Sequence, residues 1–185
     1  MPEHSRKSAI YRVSGLSPRK PQPFEIVPAP DELQAIAEDL GILGLRKLRF
    51  TGELSAEGKA DWRMDGHLGA TVTQACVVTL EPVNTRIEED VARRFLEEWP
   101  PLEEKGEEVE MPEDETIDPL GEQIDLWTVM TEALALALPP YPRADDAELE
   151  TDSAIPPGAA PIEDEETKPF AGLADLKKKL EDGGD

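Results

Sequence analysis

Residues Trp127 to Leu138 form an apolar run broken only by Thr128, Thr131 and Glu132. Asp125 precedes it, a side chain suited to capping a helix N-terminus. Pro139-Pro140-Tyr141-Pro142 follows and cannot continue a helix. The spacing predicts a helix over Leu126–Leu138, apolar on nearly every face. Such a helix is stable only when buried on most sides. The rest of the chain must therefore supply a broad apolar surface to cover it.

Upstream segments offer one. Between Leu45 and Leu54, Leu48, Phe50 and Leu54 alternate with Lys47, Arg49, Thr51 and Glu53. That is the period-two pattern of a strand with one wet face. Glu57-Gly58-Lys59 makes a turn. Trp62, Met64, Leu68, Ala70 and Val72 then share one face, with Arg63, Asp65, His67, Thr71 and Thr73 on the other. Two such runs across a short Gly-containing loop predict an antiparallel hairpin. Gly66 and Gly69 mark a bulge or a strong twist. Val77 to Leu80 runs on to a turn at Glu81-Pro82-Val83-Asn84. Ile87, Val91 and Phe95 fit a strand face and a helix face alike; a strand from Thr85 to Val91 is preferred, because it pairs back after Pro82. Phe24 to Val27 adds a short strand ending at Pro28. Leu33, Ile36, Ala37 and Leu40 mark one face of a helix over Asp31–Leu40, with Asp31 and Glu32 in its first turn and Gly41 as its stop.

Charge divides the chain unevenly. Residues 1–96 hold 13 Lys and Arg against 14 Asp and Glu, which leaves 6 against 27 after them and puts almost all of the net −22 in the second half. That charge repels phosphate backbones and favours a basic partner, such as a ribosomal or RNA-processing protein, or simply solubility. Residues 97–118 hold 11 acidic side chains against Lys105 alone, with three prolines, which predicts a flexible loop. A Pro/Asp/Glu/Ala-rich linker follows over 144–168. A short helix over 169–180 ends the chain, with Phe170, Leu173, Leu176 and Leu180 on its apolar edge and Lys177 to Lys179 in its last turns. The N-terminus lacks the apolar run of a signal peptide, and nothing approaches a membrane span of about 18 apolar residues. The expected location is the cytoplasm.

Candidate chemistry is sparse. Cys76 is the one cysteine, so no internal disulfide forms. A catalytic thiol needs a base; the two histidines are His4, near the terminus, and His67, on a polar strand face. One Cys and two His do not make a zinc site, and the EF-hand pattern is missing. Gly41-Ile42-Leu43-Gly44-Leu45 lacks the Lys-Ser/Thr of a phosphate loop. The reading is no enzyme, no metal and no cofactor. Arg46, Lys47, Arg49, Lys59 and Arg63 sit near the hairpin as a modest basic face, but Phe50 and Trp62 lie on the opposite, apolar side. A stacking platform for single-stranded RNA is therefore not expected. The acidic block is a candidate recruiting surface, and Phe170, Leu173, Leu176 and Leu180 are candidate partner-binding residues.

Three blocks carry a resemblance. Cys76-x-x-Thr79-Leu80-Glu81-Pro82-Val83 is one. Asp118, Gly121-Glu122-x-Ile124-Asp125-Leu126 and Leu134 to Pro142 make the second. Pro169-Phe170-Ala171-x-Leu173-x-x-Leu176 is the third. In this order and spacing, across most of residues 10–180, the chain resembles the YceD family of bacterial proteins. The resemblance implies a role in accumulation, processing or stability of large-subunit ribosomal RNA, with no established enzymatic activity. Many members carry a second cysteine three residues after the first, and some a cysteine cluster after the Leu-Pro stop. Here Thr79 takes the second position, and Arg143 with acidic residues follows Pro142, so no metal role carries over to Cys76.

The expected fold is α+β: residues 1–143 form one twisted antiparallel sheet of four to five strands covered by helices, followed by a flexible acidic tail. The expected function is a non-enzymatic factor in 23S ribosomal RNA accumulation or ribosome assembly, acting through protein contacts. The alternatives are an acidic holder of a basic ribosomal protein and a weak direct RNA binder.

Overall fold

The computed structural model describes residues 9–98 and 116–148. The chain divides into two units, Met1–Ala147 and Glu148–Asp185, and the fold below is that of the first. The elements run β1 (Ile10–Arg12), a 3-10 turn (Val13–Gly15), β2 (Gln22–Ile26), α1 (Pro30–Asp39), β3 (Gly44–Glu57), β4 (Asp61–Ala75), β5 (Pro82–Leu96), β6 (Ile117–Pro119), β7 (Gln123–Asp125) and α2 (Leu126–Ala137).

Strands β2 to β6 make one sheet in sequence order, and β1 pairs with β7 in a separate two-stranded ladder. This corrects the expectation of a single antiparallel sheet in two ways. The β1–β7 ladder is a second sheet, and β6 joins the first in parallel, against Arg94–Leu96 of β5. Two strands of three residues carry too few positions to show an alternation. Ile117 and Asp118, expected in the acidic loop, belong to β6; the rest of that loop over 99–115 lies outside the described residues, as do the terminal helix and nearly all of the linker.

The hairpin is as expected and longer. β3 and β4 pair from Gly44↔Thr73 to Glu57↔Asp61. Phe50, Leu54, Met64, Leu68, Ala70 and Val72 are fully buried on one face. Of the bulge or strong twist expected at Gly66 and Gly69, β4 carries no bulge and keeps its register with β5 through both glycines. The register slips in β3 instead, between Arg46 and Arg49, and this lets Leu45 and Leu48, three apart, both point inward. Gly66 makes room for an aromatic ring, since a Cβ there would meet Phe50 at 2.8 Å. That ring packs against Phe24 with centroids 5.1 Å apart.

β5 spans Pro82–Leu96, so Pro82, Val83 and Asn84 belong to the strand and not to a turn. The chain reverses earlier, over residues 77–80. Pro is tolerated because it opens the strand. β6 covers only the last three residues of β5, so among the described residues the outer side of Pro82–Ala92 has no strand partner.

α1 runs Pro30–Asp39 and buries Ile36 and Ala37, with Leu33 and Leu40 half-buried, the face its spacing predicts. The Ala29 N–H donates to Glu32 Oε2 at 2.7 Å. Gly41, at φ 65°, closes the helix, and the Ile42 N–H returns to the Ala37 carbonyl at 3.0 Å. α2 begins at the predicted cap, where Asp125 Oδ1 accepts from the N–H groups of Trp127 and Thr128. It packs over β4, β5 and β1, and Leu126, Met130 and Leu134 are fully buried.

Candidate functional site

Two places on this framework break local rules. Among the described residues, two non-glycine side chains sit at left-handed φ, Leu80 at 62° and Lys47 at 53°. A long side chain there costs about 1–2 kcal/mol. Leu80 belongs to the loop that joins β4 to β5, with Cys76 at its centre.

The loop is tightly tied. The Cys76 N–H donates to the Glu81 carbonyl at 2.7 Å, and the Leu80 N–H returns to the Cys76 carbonyl at 3.0 Å. Cys76 Sγ accepts N–H groups from Val78, Thr79 and Ala144, each at 3.4 Å. The third donor comes from the segment after α2, and the Val77 N–H donates to Pro142 O at 2.9 Å. Gln74 Nε2 reaches Pro139 O from the end of β4. The proline stop of α2 and the β4–β5 loop are thus knitted together around one sulfur. Past it, the Ala147 N–H returns to Ala144 O and Arg143 donates to Ala147 O, closing a small turn.

This environment favours a thiolate. The Thr79 hydroxyl, then the N–H groups of Thr79, Ala144 and Val78, draw the Cys76 pKa down to about 6 against the opposing effect of burial. Sγ is closed off from water, yet Cys76 stands apart from the main hydrophobic core. A sealed thiolate is poorly placed for nucleophilic attack on a substrate. Among the described residues the one histidine, His67, lies nine residues up β4, about 30 Å away along an extended strand. Cys76 offers a soft metal ligand, but among the described residues no cluster of three His, Cys, Asp or Glu could hold an ion.

The outer surface of the loop is apolar. Val77 is 53%, Leu80 76% and Tyr141 81% exposed. Val77 and Tyr141 belong to the two segments that the Val77–Pro142 hydrogen bond joins.

The wet face of the sheet bears the other candidate residues. His67 stands between Asp90 and Glu88, at 2.7 and 2.9 Å, and these two carboxylates raise its pKa. Arg63 pairs with Asp65, and Arg94 with Glu57. At the other end Lys47 and Arg49 line a hollow with Arg86 of β5, a residue that the sequence patch did not include, and Arg46 bonds to Asn84. Lys59 lies in the β3–β4 turn, away from this group. Phe50 and Trp62 are buried, as expected, so the wet face carries neither ring. Phe170, Leu173, Leu176 and Leu180 lie outside the described residues.

A family model described as large ribosomal RNA subunit accumulation protein YceD matches residues 64–177. The chain belongs to the YceD family. The YceD match begins within β4, takes in the Cys76 loop and α2, and extends past the described residues to Lys177. No curated protein and no solved structure matches the chain. The family description ties the YceD chain to accumulation of large-subunit ribosomal RNA. No helix among the described residues is long and apolar enough to cross a membrane.

Proposed function

We propose that this chain supports large-subunit ribosomal RNA accumulation as a non-enzymatic, cytoplasmic factor, and that it acts through a protein contact made by the Cys76 loop. Leu80 carries the reading. It pays twice, in a strained backbone and in an apolar side chain left in water. The second cost is of the order of 1.5–3 kcal/mol of burial forgone. Bulky residues are kept in such states where function requires them. A partner with an apolar pocket recovers the burial of Leu80, Val77 and Tyr141, and the sulfur-centred hydrogen bonds hold these side chains in place beforehand.

Three side chains fall short of a standard interface of about 800 Å² per partner. The apolar edge of Phe170, Leu173, Leu176 and Leu180, read from the sequence, supplies a second contact in this proposal. A tethered second contact raises avidity without improving either site. The alternative reading is a holder of a basic ribosomal protein, favoured by the −22 charge and its concentration after residue 97. A salt series on the captured complex separates the two, because apolar docking survives salt and charge pairing does not.

Leu80→Gly tests the proposal. Glycine relieves the left-handed strain, so the melting temperature should hold or rise. In a deletion strain the variant should fail to restore large-subunit ribosomal RNA. Full restoration by a double Val77→Ser, Leu80→Gly variant would show that the loop is not the contact.

A further inference from the structure

We propose that the hollow at the Arg46 end of the wet sheet face binds the sugar-phosphate backbone of RNA. The proposal rests on the reading of the chain as a factor in ribosomal RNA accumulation, which supplies RNA as the polyphosphate. Val27, Lys47, Leu48, Arg49, Thr71 and Arg86 line an open hollow of about 480 Å³, and Arg46 stands beside it in the β3 bulge.

Charge is distributed unevenly over the wet face. The chain has 41 acidic residues against 19 basic ones, so carboxylates are plentiful enough to pair every cation. Arg63, Arg94 and Arg49 are paired in that way. Arg46 instead donates to the neutral Asn84 amide oxygen, at 2.9 Å. Lys47 has no carboxylate within ion-pair distance among the described residues. Arg86 is shared between Glu88, the Thr71 hydroxyl and the Lys47 carbonyl. Among the described residues, Arg46 and Lys47 thus have no carboxylate partner at this end of the wet face, while Arg49 and Arg86 each hold one. The other end of the same face has the opposite character, with Asp65, His67 and Asp90 around a second hollow.

The backbone points the same way. Lys47 and Leu48 together fall in the register slip of the β3–β4 ladder, and Lys47 takes left-handed φ, where bulges of this type ordinarily carry glycine. The strain persists in order to aim a lysine. Gly69, which pairs with Arg49 across the ladder, leaves room for Arg86: a Cβ at that glycine would stand 2.5 Å from the guanidinium. Two arginine forks, a lysine and a threonine hydroxyl suit phosphate oxygens. With no aromatic side chain lining the hollow, the contact reads backbone and not bases. Screening over about 8 Å at physiological salt limits the effect on this hollow to charges close to it.

The test is binding of the full-length, nuclease-treated protein to a large-subunit ribosomal RNA transcript, followed by fluorescence anisotropy across a salt series. Binding should be weak at physiological salt and tighten steeply as salt falls. Lys47→Gly and Arg46→Gln should each weaken it several-fold and lower the salt slope by about one unit, with the melting temperature of Lys47→Gly at or above wild type. Competition by inorganic phosphate only at far higher concentration should separate an RNA backbone from a free anion. Leu80→Gly should bind the transcript normally, which distinguishes this contact from the protein contact. Unchanged binding by both cation variants, or no binding by wild type at low salt, or preference for polyglutamate over RNA, would overturn the proposal.

Discussion

Cys76 shows how a residue can hold chemical potential without a reaction. Its thiolate is favoured in the fold, where the pKa is about 6, over the unfolded chain, where the value is near 9. A depressed value means that the stabilisation is fully present above pH 9 and vanishes as pH falls through 6. Cys76→Ala should therefore cost little stability at pH 5.5 and progressively more up to pH 9, which paired melting curves across that range would reveal. A constant difference between variant and wild type would mean that the sulfur is neutral throughout. The place of Cys76, just past the alternating run that forms β4, is legible in the sequence. Its hydrogen bonds were not, because one donor, Ala144, lies 68 residues away. Leu80 and Lys47 were equally hidden: left-handed backbone is legible in sequence when glycine marks it, and here a leucine and a lysine occupy those positions.

At the scale of elements, long patterns read correctly and short ones did not. α1, α2, β3 and β4 each repeat their period several times, so a face could be assigned before any contact was known. β1, β6 and β7 have three residues each, and their pairing depends on distant chain. The turn after β4 was placed too late because Pro82 and Asn84 resemble turn residues, whereas the reversal is set by Sγ. α2 is the element on which the core depends. Trp127 is 8% exposed and adjoins fully buried Leu126, so Trp127→Ala should cost about 3–5 kcal/mol and lower the melting temperature by many degrees. Asp125→Ala, which removes acceptors for two helix N–H groups, should cost about 1 kcal/mol. Thermal unfolding of both variants would check the order of these effects; a near-native Trp127→Ala would place α2 at the periphery.

For the whole molecule, the sequence separates a patterned region, residues 10–142, from a Pro- and acid-rich one after it. If residues 169–185 serve as a second docking point, their deletion should leave the melting temperature almost unchanged and abolish restoration of large-subunit ribosomal RNA in a deletion strain. A fall of many degrees would instead assign the segment to the core. The outer side of β5 bears on self-association in a molecule that carries exposed apolar side chains. From Pro82 to Ala92, with no strand beside it among the described residues, its backbone offers hydrogen-bonding groups to any extended chain, including another copy of itself. Glu89 lies opposite Leu68 in the ladder, on the face where β5 also places Ile87, Val91 and Phe95, and it is exposed. A carboxylate turned inward on an open strand obstructs edge-to-edge growth, since a docked strand would bury it unpaired. Glu89→Val should leave the fold intact and turn this protein into one that self-associates, seen by light scattering as oligomers that grow with concentration.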